Sequence, residues 1–150
     1  MSIKRSFVAV FALVAAVLWM SQAPVLAKGK THHLVVQVND GSPKTMNLAL
    51  NNVQNVRKYY SSVGDNAVVE VVAYGPGLKM YTADSPVKSR IAAMALESKD
   101  VQFSACNNTL RHMEKKAGKK IPLLAEATIV PSGAIRVIEL QEEGYSYLKP

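Results

Sequence analysis

The chain has 150 residues, of which 49% are hydrophobic and 19% are charged, and its formal net charge is +7. This length allows one domain with a hydrophobic core that needs neither disulfides nor a structural metal. Much of the positive charge lies at Lys28, Lys30 and in the run 111–120, where no aromatic residues are interleaved. No nucleic-acid-binding signature is present either, which argues against a nucleic-acid-binding protein.

Residues 1–27 have the pattern of a secretory signal peptide. Two basic residues lie within the first five positions, and an uncharged run covers 7–20. In Val25-Leu26-Ala27, the first and third residues are small, at the two positions that a signal peptidase reads. We predict cleavage after Ala27, which leaves a mature domain of residues 28–150 in the periplasm or secreted. An uncleaved membrane anchor is the alternative, although the uncharged run is shorter than the roughly 20 apolar residues that span a bilayer.

The mature part alternates between apolar runs and amphipathic segments. Short apolar runs predict buried strands at 34–38, 67–73, 101–106, 125–130 and 145–148. Apolar residues at helical spacing predict helices from Met46 to near Gly64, from Ser85-Pro86 onward, at 109–117 and at 134–142, with a short turn inside 78–83. Strand and helix therefore alternate through a single domain.

Apolar strands separated by helices predict an α/β domain with a mostly parallel sheet of about five strands, covered on both faces. The carboxyl ends of parallel strands lie at one edge of the sheet, where ligands bind. We therefore expect four loops to meet at that edge: 39–43, 74–81, 106–109 and 131–133.

Cys106 is the only cysteine of the chain, so no internal disulfide can form. It ends the predicted strand 101–106 and precedes Asn107, Asn108 and Thr109, which are residue types that begin helices. A thiol at a helix N-terminus is stabilised as a thiolate, which makes Cys106 the candidate nucleophile. The alternative is a small buried hydrophobe, with the three following residues acting only as helix caps.

Further residues of the same edge are candidates for shaping the site or binding a ligand. They are Asp40, Gly75, Gly77, Asn107, Asn108, Thr109, Ser132 and Gly133. The glycines of the 74–81 loop serve backbone geometry and would also allow a ligand to approach closely. Ligand binding through Asp40, Gly75 and Ser132 is a further hypothesis, for which the sequence names no ligand.

Other motifs give little support for catalysis. His112 lies six positions after Cys106, nearly two helical turns away, so we expect it to face solvent rather than act as a base. His32 and His33 are adjacent and would point to opposite faces of a strand, so no metal site is predicted. No nucleotide-binding glycine motif is present, and no cofactor is predicted.

A lysine cluster lies at the end of the third predicted helix, at Lys115, Lys116, Lys119 and Lys120. Cations there complement the partial negative charge of a helix C-terminus, which is the simpler explanation. The other interpretation is a docking patch for an acidic partner or an anion.

Four segments together resemble the DsrE family, over almost all of the mature chain. They are Tyr74-Gly75-Pro76-Gly77-Leu78, Val101-x-Phe103-x-Ala105-Cys106-x-Asn108-Thr109, Val130-Pro131-Ser132-Gly133 and Gln141-x-x-Gly144-Tyr145-x-Tyr147-x-x-Pro150. The resemblance implies a three-layer α/β/α fold and assembly into homo- or hetero-oligomers, often trimers or hexamers, and for this chain we expect a homo-oligomer. It also implies that Cys106 accepts a sulfane sulfur as a persulfide and passes it to a partner protein.

The leading hypothesis is therefore an exported sulfur carrier with the persulfide on Cys106. The better-known relay members of the family work in the cytoplasm, so their partners do not carry over to a chain predicted to be exported. A sulfur donor or acceptor protein is the expected partner, and no membrane contact is expected once the signal peptide is removed. The alternative is a non-catalytic binding or assembly module of the same fold with an inert, buried cysteine.

Overall fold

A computed structural model describes residues 29–150, so the predicted signal peptide lies outside the described residues. The strands are β1 (Thr31–Val38), β2 (Asn66–Ala73), β3 (Val101–Cys106), β4 (Ala127–Val130) and β5 (Ser146–Leu148). The helices are α1 (Pro43–Ser62), α2 (Lys88–Glu97), α3 (Asn107–Ala117) and α4 (Gly133–Glu142), with a 3-10 helix at Gly75–Tyr81. Within 29–150, no helix is both long and apolar enough to span a bilayer.

The five strands form one sheet in the order β4-β3-β2-β1-β5, and every pair of neighbours is parallel. The prediction of a parallel, five-stranded sheet is thereby confirmed. The carboxyl ends of β1, β2, β3 and β4 lie at one edge, so the four loops predicted to meet there do so.

The helices divide unequally between the two faces of the sheet. Buried residues of α1, α2, α3 and the 3-10 helix share one cluster with alternate strand residues such as Val36 and Phe103. In α4, Val137 and Leu140 pack in a separate, smaller cluster with Val35. Because successive residues of a strand point to opposite faces, α4 is the one helix of residues 29–150 that covers the second face, and the domain has three layers.

This division follows from the strand order. The steps from β1 to β4 all move in one direction across the sheet, and the step from β4 to β5 moves back. Right-handed crossovers then place the first three helices on one face and α4 on the other. The helices that follow β3 and β4 therefore lie on opposite faces, which opens a crevice between the ends of those strands. Cys106 and its sheet partner Val130 lie at this crevice.

The start of α3 differs from the prediction. The helix begins at Asn107 rather than Thr109, and Cys106 is the residue that caps it. Its Sγ accepts a hydrogen bond of 3.5 Å from the Thr109 backbone N–H. The expectation that Asn107, Asn108 and Thr109 supply the cap was therefore wrong, because the sulfur takes the place of a capping oxygen.

Other boundaries also move. The β1 strand begins at Thr31 rather than Leu34. The α1 helix begins at Pro43 rather than Met46, with Ser42 as its cap.

At two further boundaries, turns occupy the predicted ends. The α2 helix begins at Lys88, since the Val87 N–H donates to Ser85 Oγ at 3.3 Å in a turn that precedes it. Similarly, β4 begins only at Ala127, whose N–H donates to the Leu124 carbonyl at 3.1 Å.

A buried ion pair connects α4 to the centre of the sheet. Glu70 of β2 is 3% exposed, and Arg136 donates to its two carboxylate oxygens at 2.9 Å and 2.7 Å. The Ser104 hydroxyl donates to the same carboxylate at 2.6 Å. A buried carboxylate is tolerated only with such partners, so this pair fixes where α4 lies on the sheet.

Removing one member of this pair should cost far more than removing both. Arg136→Met leaves Glu70 buried without its cation and should lower the free energy of unfolding by about 3 kcal/mol. The double variant Glu70→Met, Arg136→Met should recover much of that loss, because no buried charge remains. Urea denaturation followed by circular dichroism measures both values.

The matched control is Glu139→Gln, which removes only an exposed contact of 3.8 Å with Arg136. It should change stability by less than about 1 kcal/mol. A double variant as unstable as Arg136→Met would show that the charge of Glu70 is not the source of the loss.

Candidate functional site

Cys106 lies at the junction of β3 and α3 and is 4% exposed. The Thr109 N–H donates to the Cys106 Sγ atom at 3.5 Å. Three further donors lie close enough to stabilise a negative charge on the sulfur: the Thr109 hydroxyl and the backbone N–H groups of Gly133 and Asn108. Two of these N–H groups belong to the first turn of α3, and the third comes from the start of α4 across the crevice.

These donors change the acidity of the thiol. Burial alone would raise the pKa of Cys106, because it disfavours the charged thiolate. The hydrogen bonds from Thr109, Gly133 and Asn108 stabilise the thiolate more than burial destabilises it, and the pKa is lowered from its ordinary value. The structure thus favours the nucleophilic form of the sulfur.

Thr109 links Cys106 to the loop that follows β2. Its hydroxyl oxygen accepts a hydrogen bond of 2.9 Å from the Gly75 N–H. Since the oxygen serves as the acceptor in that bond, the hydroxyl proton can be directed to the sulfur. Gly75 has a φ of 53°, in the left-handed region that favours glycine, so the loop can turn sharply and present its N–H there.

Gly133 makes a close approach that a larger residue would prevent. A Cβ atom at this position would lie 2.8 Å from the Tyr74 Cβ and 2.9 Å from its Cδ1. The absence of a side chain lets the start of α4 contact Tyr74 while its N–H reaches Cys106 Sγ. The loops that follow β2, β3 and β4 therefore all contribute to the environment of one sulfur atom.

A chain of polar side chains extends from Tyr74. The Gln37 amide donates to the Tyr74 hydroxyl and accepts from the Tyr147 hydroxyl. Burial raises the pKa of Tyr74, and the neighbouring Tyr147 and Cys106 raise it further. The phenol is therefore neutral at physiological pH and places no negative charge beside the thiolate.

Two of the predicted site residues lie apart from the sulfur and have roles in the scaffold. Asp40 is exposed, and its carboxylate accepts from the Ser42 N–H at 2.7 Å and the Thr45 hydroxyl at 3.1 Å at the start of α1. These bonds hold the pKa of Asp40 below its ordinary value. Gly77 packs directly on β1, because a Cβ there would overlap the Val38 carbonyl.

The remaining predicted residues lie near Cys106 but contribute in different ways. Asn108 contributes its N–H, and its side chain is exposed. Asn107 is the first residue of α3, and Ser132 occupies the cap position of α4 without a side-chain hydrogen bond to the helix. His112 is exposed, as predicted.

Sequence reasoning missed five residues that support the site: Gln37, Glu70, Arg136, Tyr147 and the side chain of Tyr74. Gln37 and Glu70 each interrupt an otherwise apolar strand, and that interruption is the signal that could have marked them. Their partners lie far away in sequence, so the contacts themselves needed the fold.

A resident metal ion finds no ligand set in the described part of the chain. Among residues 29–150, no three His, Cys, Asp or Glu side chains come together to hold one. His32 pairs with Asp65 at 2.8 Å and stacks on Tyr60. His33 contacts Tyr145 instead, so the two histidines lie apart.

Comparison with known proteins identifies the family of this chain. The model of the DsrE/DsrF-like family matches residues 8–150. The chain belongs to this family. The solved structure of MTH1491, a protein of unknown function from Methanobacterium thermoautotrophicum, is similar with a TM-score of 0.68 and 27% identity, over 79% of this chain and 99% of that one. No curated protein matches the sequence.

Membership of the DsrE/DsrF-like family confirms the resemblance noted in the sequence and suggests a sulfur-relay role. The similarity to MTH1491 supports the same α/β fold.

Thr109→Val should raise the pKa of the Cys106 thiol by about one pH unit, the effect expected on losing one hydrogen bond to a charged group. The variant loses the hydroxyl donor to Sγ but keeps a side chain of similar size. The thiol would therefore be more protonated at neutral pH, and alkylation by iodoacetamide would be slower there. The pH dependence of the alkylation rate measures the pKa.

Thr109→Ser is the matched control, because it retains the hydroxyl and should restore the original titration. A folded Thr109→Val protein with an unchanged alkylation profile would mean that this hydroxyl does not stabilise the thiolate.

Proposed function

We propose that this protein is a sulfur carrier that holds a sulfane sulfur on Cys106 as a persulfide. The observation that carries the proposal is the convergence of four hydrogen-bond donors on Cys106 Sγ. Membership of the DsrE/DsrF-like family supports it. In a persulfide the negative charge lies on the outer sulfur, one bond beyond Sγ. The donors that stabilise the thiolate can also stabilise this charge if the outer sulfur stays within hydrogen-bonding distance of them.

The reaction transfers one sulfane sulfur atom from a donor molecule to the Cys106 thiolate. The Cys106 thiolate attacks the sulfane sulfur of a donor persulfide, polysulfide or thiosulfate. A bond forms between Sγ and that sulfur, and the bond that joined it to the donor breaks. The electron pair of the broken bond leaves with the donor as a thiolate or sulfite, so the sulfane sulfur itself supplies the oxidising equivalent. Delivery to an acceptor thiolate repeats the exchange in the opposite sense.

A carrier fits the site better than a complete enzyme does. The groups that hydrogen bond to Cys106 Sγ are a hydroxyl and backbone N–H groups, and none of them is a general base. Exchange between thiolates needs no proton transfer, because both the attacking and the leaving sulfur are anions. Lowering the pKa of Cys106 is then the main contribution required of the protein.

One observation favours a different function. With 4% of its surface exposed, Cys106 would be inert in a binding or assembly module, where the thiol serves only to pack and to cap α3. Titration with a thiol reagent separates the two functions: rapid labelling of the folded protein supports the carrier, whereas labelling only after denaturation supports the inert thiol.

Incubation with polysulfide or thiosulfate should add the mass of one or more sulfur atoms to the protein. Intact-protein mass spectrometry detects the addition, and dithiothreitol should remove it because a persulfide is reducible. Cys106→Ser is the control and should gain no sulfur. Absence of a reducible adduct on the folded wild-type protein would reject the carrier function.

We also propose that the protein is exported, cleaved after Ala27, and assembled as a homo-oligomer, either a trimer or a hexamer. The signal-peptide pattern of residues 1–27 supports export. Three isoleucines of β4 and α4, Ile129, Ile135 and Ile138, are about half exposed, and β4 is an edge strand, which supports association.

Native mass spectrometry of the protein from a bacterial periplasmic fraction tests both parts together. The subunit mass should equal that of residues 28–150, and the complex should weigh three or six times as much. A subunit that retains residues 1–27 would contradict cleavage, and a monomer at micromolar concentration would contradict assembly.

A further inference from the structure

A groove of about 760 Å³ lies between the 3-10 helix and α3, beside the thiol. Its lining includes residues of both helices and of the segment after α3, among them Pro76, Lys79, Thr109, Met113, Lys116 and Ile121. The sulfur-carrier function uses none of these except Thr109. The groove therefore needs a separate explanation.

The floor of the groove is apolar. Met113 and Ile121 are half-buried and pack at the edge of the main core, while Pro76 and Pro122 are exposed along the sides. Exposed apolar surface in a concave site is typical of a region that another molecule covers.

The rim of the groove is basic. Lys79, Lys116 and Lys119 line it, and none of them forms an ion pair with a carboxylate in the 29–150 region. Among the described residues, the lining contains one acidic residue, Asp84, whose carboxylate accepts a hydrogen bond of 2.5 Å from the Thr82 hydroxyl. Three lysines against one carboxylate leave a net positive rim.

One end of the groove is formed by residues that neighbour Cys106. Gly75 and Thr109 are part of its lining, and the Thr109 hydroxyl is hydrogen bonded to both the Gly75 N–H and Cys106 Sγ. A molecule that fills the groove therefore comes within one residue of the thiol.

We propose that this groove binds an extended acidic segment of a partner protein, with carboxylates on the lysine rim and apolar side chains on the Met113–Ile121 floor. This inference rests on the proposed function, because it describes the partner that exchanges sulfur with Cys106. The charge of the rim selects an acidic occupant over a basic one. The concave, apolar floor suits the alternating side chains of an extended peptide better than the flat surface of a membrane.

The probe is a short fluorescent peptide of alternating glutamate and leucine, and its partner peptide has lysine in place of glutamate. Fluorescence anisotropy should show binding of the acidic peptide alone, weakened by added salt. The double variant Lys116→Gln, Lys119→Gln should weaken binding about tenfold, as expected for two ion pairs at the upper end of the exposed range. Met113→Ala should also weaken it, because the floor loses apolar contact.

The control Lys58→Gln, Lys99→Gln removes the same charge from exposed positions on α1 and after α2. It should leave peptide binding unchanged. Equal loss in both double variants would show only a general effect of net charge and would overturn the proposal. Equal binding of the two peptides would do the same.

Two further outcomes would also overturn it. One is binding to phosphatidylglycerol vesicles without binding to the acidic peptide, which would identify a lipid surface. The other is self-association that the Lys116 and Lys119 substitutions abolish, which would identify a second copy of this chain.

The Cys106→Ser variant separates this proposal from the carrier function. It cannot hold sulfur but keeps an oxygen that can cap α3, so it should bind the acidic peptide as the wild type does. Sulfur loading of the wild type without peptide binding overturns the docking site alone. Peptide binding without sulfur loading supports the docking site and rejects the carrier function.

Discussion

The ion pair between Glu70 and Arg136 determines how the single helix on the second face of the sheet meets the thiol. Arg136 lies three residues after Gly133, within the first turn of α4, and Glu70 lies on the central strand. Because the carboxylate is buried, its position is fixed by packing on all sides. The backbone N–H of Gly133, which points to Cys106 from across the crevice, is held in place by a charge pair three residues further along the same helix.

Cys106 has two roles that depend on the same atoms. As the cap of α3, its sulfur accepts hydrogen bonds from backbone groups that would otherwise lack a partner. These bonds also stabilise negative charge, and a thiolate is a stronger acceptor than a thiol. Helix capping and lowering of the pKa are therefore two consequences of the same hydrogen bonds.

The sequence allowed the prediction of the secondary structure, the parallel sheet and the loops at its carboxyl edge, since these depend on local patterns. The start of α3 could not be placed, because serine, threonine and asparagine are better-known caps than cysteine. The contact of Gly133 with Cys106 depends on the strand order. After β4 the chain crosses back to the other edge of the sheet, so α4 lies on the second face, and no local sequence pattern shows this. Glu70 and Arg136 are 66 positions apart, so only the folded chain joins them.

The unequal distribution of helices gives each strand two sides with different physical constraints. On β3, Val101, Phe103 and Ala105 are buried in the main core under three helices. The intervening Gln102 is exposed on the other face, where α4 is the one helix of the described range 29–150 that covers the sheet. Neighbouring positions on this strand therefore differ in the volume they can accept. A larger side chain at position 102 would extend into solvent, whereas one at position 103 would have to displace the main core.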